Sequence, residues 1–143
     1  MIFERVVLTI TEVGMVLYWV FASLVVLDVM YIPPEYMYSD YTNPLVVAWN
    51  WSFFPIDIIF ALTGLVARFG NVSRANELYL SVFSLSLMFC AGLMAISYWA
   101  INSEFDPFWW GVNLWLLFLS SYCLVLLLRR QNGVNRITSP VKS

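Results

Sequence analysis

Asn43–Gly64 reads NPLVVAWNWSFFPIDIIFALTG. The run is long and apolar enough for a helix to cross the hydrocarbon layer of a bilayer, about 30 Å thick. It nevertheless holds a carboxylate, Asp57, near its middle, two residues after Pro55. A charged side chain at that depth costs roughly 2.5–3.5 kcal/mol, so such a residue normally faces the protein interior, finds a partner and serves a function. Asn50, Asp57 and Gly64 are spaced seven apart, which puts them on one helix face, with Phe54 and Ala61 filling the same stripe. That face is expected to point inward. Pro55 has no N–H for the Trp51 carbonyl, so a kink is expected there, with a free acceptor above the acid.

The rest of the chain has the same character. Of its 143 residues, 62% are hydrophobic and 18% aromatic, against about 45–50% apolar usage in soluble domains. The reading is an all-α, polytopic membrane protein, a bundle of four transmembrane helices over about 6–27, 45–67, 80–101 and 108–128. Pro33-Pro34 breaks the chain after the first span, Arg68-Phe69-Gly70-Asn71 ends the second, and Pro107 opens the fourth. The first span lacks the basic leader and small-residue cleavage site of a signal peptide and is expected to be retained. The basic tail, 129–143, is expected to be disordered or to lie on the headgroups.

Charge sets the orientation. Every Lys and Arg falls in the N-terminus, the second link or the tail: Arg5, Arg68, Arg74, Arg129, Arg130, Arg136 and Lys142. The first and third links carry Asp28, Glu35, Asp40, Glu104 and Asp106 instead. Under the positive-inside rule both termini are cytoplasmic.

With no histidine in the chain, the commonest metal ligand and general base are missing, so no metal or cofactor is expected and hydrolase chemistry is disfavoured. Cys90 and Cys123 differ in height by ~8 Å, too far for a disulfide. Glu12 is the second intramembrane acid, expected within about one turn of Asp57 in height. It either shares a pocket with Asp57 or meets Arg5 or Arg68 near the inner interface. Asn113 lies at nearly the depth of Asn50, and the two either frame an outward vestibule or bond across helices. Most aromatic residues suit an interfacial belt, Tyr36, Tyr38 and Tyr41 among them. Some, such as Trp51 and Trp109, are candidates to line a pocket for a flat or cationic ligand. Asn43-Pro44 with Asn50 recurs as Asp106-Pro107 with Asn113, which raises the prospect of a parallel repeat.

The tract WNWSFFPID, Trp49–Asp57, with Asp40-Tyr41-Thr42-Asn43-Pro44 upstream and Glu104–Trp110 and Asn113 downstream, resembles the YvaD-like family of small bacterial membrane proteins. The resemblance implies four helices and a bacterial cytoplasmic (inner) membrane, and it transfers no catalytic residues. The functions in view are therefore binding or transport of a proton, cation or small amine by Asp57, helped by Asn50 and Glu12, or a non-catalytic accessory role in a membrane complex. A lipid-modifying enzyme is disfavoured, since Asp57 and Glu12 are its only acid–base pair. The expected partners are the lipid bilayer and either further copies of the chain or another membrane protein; nucleic acid is not expected.

Overall fold

A computed structural model describes residues 2–33, 36, 37 and 40–138, with side chains as far as 131. Glu35, Tyr38 and Lys142, used above for charge and for the aromatic belt, lie outside the described residues. Five helices follow in order: α1 Ile2–Val26, α2 Pro44–Trp51, α3 Phe53–Phe69, α4 Arg74–Ile101 and α5 Pro107–Thr138. With α2 and α3 taken as one span, four stretches are long and apolar enough to cross a membrane: Ile2–Val26, Pro44–Phe69, Arg74–Ile101 and Pro107–Gln131. Large apolar side chains stand outward along all of them, such as Leu17, Leu62, Leu93 and Phe118. Soluble proteins rarely expose so continuous an apolar surface.

The ends of the helices follow from local chemistry. Asn43 accepts the Leu45 N–H through its side chain at 3.0 Å, and Pro44 takes the first helical position, where no donor is needed. Asp106 does the same before Pro107, its Oδ1 accepting from Phe108 and Trp109 at 2.9 and 3.0 Å. The two Asx-Pro starts therefore fold alike. The likeness ends there, because the second span breaks and the fourth does not. α1 and α4 also close alike: Asp28 and Ser103 take φ of 56° and 55°, and the next N–H reaches back to Leu24 O and Trp99 O respectively, at 3.0 Å in both.

The break in the second span falls at Ser52, whose hydroxyl and N–H both turn to the Trp49 carbonyl, at 2.6 and 3.1 Å. Pro55 becomes the third residue of α3, in the first turn, where a missing N–H costs little. The break thus falls beside Trp51, whose carbonyl Pro55 leaves without a donor, where the kink is expected. It also trims the predicted inward stripe. Phe53, Asp57, Phe60, Ala61, Gly64 and Ala67 are buried, while Phe54 stands at the edge, 38% exposed.

Two boundaries differ from the hydropathy reading. α4 begins at Arg74 rather than near 80, because Ser73 caps it through Asn76 N at 3.3 Å and polar residues fill the first turn. α5 continues through Arg129 and Arg130 to Thr138, so the first two thirds of the expected tail is helical.

α1 packs on α3, α3 on α4 and α4 on α5. Small residues let α4 and α5 approach closely. At Gly92 an added Cβ would stand 2.7 Å from Asn113 O and 2.9 Å from Leu117 N, both backbone atoms that cannot swing aside. Gly92→Ala is expected to force the two helices apart and cost about 1–3 kcal/mol, measurable as earlier unfolding in a detergent titration. α1 and α5 are joined by side chains: Trp115 Nε1 donates to Thr11 Oγ1 at 3.0 Å, and Arg130 pairs with Glu4 at 3.1 Å. We call the end holding Arg5, Arg68 and Arg130 the basic end, and the end holding the α1–α2 and α4–α5 links the acidic end.

Candidate functional site

α3 brings Asp57 to the bundle interior, where it is 6% exposed. Its two oxygens differ. Oδ2 accepts from Trp19 Nε1 at 2.9 Å, a buried bond between α1 and α3. Oδ1 has no hydrogen-bond partner. Trp19 is held in place by rings, with centroids of Tyr18, Trp51 and Phe54 at 5.1, 5.3 and 5.2 Å, mostly edge-on. The indole is therefore a fixed donor, and it turns the carboxyl group so that one oxygen is used and the other is left over.

Asp57 lies on the wall of a cavity of about 710 Å³ whose lining runs along α1 from Trp19 to Val7, within the usual range for small-molecule sites. Tyr18, Trp49, Phe53, Trp99 and Trp109 are among the residues of its wall, and Thr11, Asn50 and Asn113 add polar groups. Its aromatic wall is braced from behind. Trp49 stacks on Tyr98 with centroids 3.8 Å apart, and Tyr18 meets Trp109 edge-on at 6.3 Å. Asn113 donates to Trp109 O at 2.8 Å. Asp57 is the one acid on the wall, and no Lys or Arg lies there among the described residues.

Four of the six residues singled out in the sequence meet here: Asp57, Asn50, Asn113 and Trp109. Trp51 does not reach the cavity, because α2 turns it against Trp19 and Phe54. Trp19 was not singled out. A tryptophan well inside a span, away from the interfacial belt, was the available signal.

Residues 4–134 match a family of unknown function, DUF5360. The chain belongs to this family. It is also 37% identical over 121 residues, 84% of this chain and 87% of the relative, to the uncharacterized protein YvaD of Bacillus subtilis (strain 168). The YvaD-like resemblance read from Trp49–Asp57 stands. No solved structure matches.

In this DUF5360 chain Glu12 is set apart from the cavity. Its carboxylate, wholly buried, pairs with the Arg68 guanidinium, which reaches back from the last turn of α3. Arg68 Nε also donates to Thr9 Oγ1 at 3.3 Å, and Arg5 donates to Arg68 O at 2.8 Å. Gly64 makes the space: a Cβ there would overlap Glu12 Oε1 and stand 2.7 Å from Ser84 Oγ. The Glu12 carboxylate therefore lies at the level of Gly64, two turns from Asp57 rather than the one turn expected from counting residues. Glu12 and Asp57 do not form an acid–base pair, and Glu12 already has a cation. Both cysteines are free, Cys90 exposed and Cys123 buried.

Proposed function

We propose that this chain is a membrane-embedded binding protein for a small organic cation, an amine on an apolar body, held in the cavity with its charge on Asp57. The divided carboxylate carries this reading, with Oδ2 taken by Trp19 and Oδ1 buried without a hydrogen-bond partner, on a residue that lines the aromatic cavity. An acid serving only to fasten helices would have both oxygens engaged, since an unmade hydrogen bond on a buried group is costly. A bare proton needs no volume of this size. A hard metal ion prefers six or more oxygen ligands, and Asp57 is a single carboxylate. An ammonium group on an apolar body fits both features, its charge on Oδ1 and its flanks on aromatic faces.

The setting proposed is a bacterial cytoplasmic membrane with both termini inside, supported by the separation of basic and acidic links. The rival reading, an accessory subunit with another membrane protein as partner, is supported by the apolar outer faces, which lipid would cover equally well. Crosslinking in native membranes that recovers one second protein in fixed ratio, with no amine binding, would favour it.

Gly14 supplies the test. It lies on the cavity wall, and an added Cβ there meets nothing within 4 Å. Gly14→Trp is expected to take up cavity space without straining the helices, weakening 4-phenylbutylamine binding in nanodiscs at least tenfold at unchanged thermal stability. Binding as tight as in the wild type would contradict the proposal.

A further inference from the structure

A second cavity, of about 400 Å³, enters the bundle from the basic end, lined by Arg5, Arg68, Ser81, Ser84 and Cys123 among others. On α3, α4 and α5 a thin layer separates the two cavities, while on α1 their linings adjoin at Val7 and Leu8. On α3 the wall passes from Asp57 to Gly64 and on α5 from Leu116 to Cys123, seven residues in both, and on α4 from Ala91 to Leu85, six. Seven residues of helix rise about 10 Å. Midway on the three helices stand Phe60, Met88 and Ser120, each 0% exposed. Ser84 ties the layer together by donating to Phe60 O at 2.7 Å. Glu12, also 0% exposed, lies against Gly64 and Ser84 at the basic side of the layer, held by Arg68.

We infer that this layer is a closed gate, and that an organic cation taken up beside Asp57 is passed along the bundle axis towards the basic end when the Glu12–Arg68 pair separates. The inference rests on the binding reading above and adds movement to it. Asp57 lies on the wall of the larger cavity, and Glu12, wholly buried, lies behind Gly64, Ser84 and Arg68, which line the smaller one. Arg68 occupies Glu12 while the gate is shut. An incoming ammonium can take the place of the guanidinium on Glu12, so that opening does not leave a buried charge unpaired. A dead-end pocket needs neither the second cavity nor a wholly buried ion pair beneath the layer. The break at Ser52 supplies an articulation, since α2, which carries Trp49 and Asn50 of the larger cavity, is joined to α3 there.

The native Cys123 reports the smaller cavity directly. In vesicles of the full-length chain with Cys90→Ser, the cationic, membrane-impermeant reagent 2-(trimethylammonium)ethyl methanethiosulfonate is applied from the side bearing the termini. Glu12→Gln combined with Arg68→Met, which leaves no unpaired charge, is expected to speed Cys123 labelling at least tenfold. A Gly14→Cys reporter in the larger cavity, with Cys123→Ala, is expected to label from the opposite side and to slow in the same double variant. In the chain with Glu12 and Arg68 intact, 4-phenylbutylamine is expected to shift both rates in the same directions, and to lose that effect with Asp57→Asn. Unchanged Cys123 labelling in the double variant and under amine would overturn the gate. If calorimetry still shows the amine bound in that case, the binding reading survives alone; if no amine binds to the wild type, the binding reading fails first.

Discussion

Arg68→Ala is expected to lower the unfolding free energy by about 3–5 kcal/mol, the largest loss from any single surface-remote substitution in this chain, because it strands the Glu12 carboxylate where no water reaches it. The two charges stabilise the fold only as a pair. Desolvating each is costly, and their mutual attraction repays that cost when both are present. Removing both therefore differs in kind from removing one. Glu12→Gln with Arg68→Met is expected to recover most of the loss, since Met fills comparable length and the neutral amide leaves no charge to desolvate. Unfolding in mixed micelles, comparing Arg68→Ala with the double variant, checks this. If the single change were as mild as the double, Glu12 would not be a buried anion.

Asp57→Asn is expected to weaken 4-phenylbutylamine binding by about 2–4 kcal/mol, as is usual when one partner of a buried charge pair is neutralised, or roughly 30- to 1000-fold in Kd. The fold should tolerate it. A carboxamide oxygen can still accept the Trp19 indole N–H, so the buried bond between α1 and α3 persists. Asp57→Leu offers the contrast. It would leave that N–H buried without an acceptor, at about 1–3 kcal/mol of stability. Asn and Leu are thus expected to share a binding defect but to differ in thermal stability, which separates the charge that holds ligand from the hydrogen bond that holds helices.

Much of this arrangement was readable from spacing along single helices. The seven-residue steps among Asn50, Asp57 and Gly64 do place the acid inward, because a helical period fixes which residues share a face. The Asx-Pro pairs at Asn43-Pro44 and Asp106-Pro107 do start helices, because capping is local chemistry. What needed coordinates was everything set by one helix's height or rotation against another. Trp19 could be chosen as the partner of Asp57 only once α1 was turned against α3. Arg68 was one of the two partners the sequence offered Glu12, and the pair forms, but the height of Glu12 against Asp57, counted from span ends, was a turn short. Phe54 stands at the edge of the inward stripe, 38% exposed, in the turn that follows the break at Ser52. Helix ends were missed for a related reason. Hydropathy sees the apolar body of a span, whereas Ser73 and the polar turn after it, or Arg129 and Arg130, extend a helix without making it more apolar.

The charge on Asp57 is best tested with two ligands of one shape. 4-Phenylbutylamine and 4-phenylbutanol differ only in the terminal group, cationic in one and neutral in the other. Their Kd values are measured by titration calorimetry in nanodiscs for the wild type and for Asp57→Asn. The wild type is predicted to prefer the amine at least tenfold and the variant to show no preference. Equal binding of the two by the wild type, or an amine preference that survives in the variant, would contradict a cation site at Asp57.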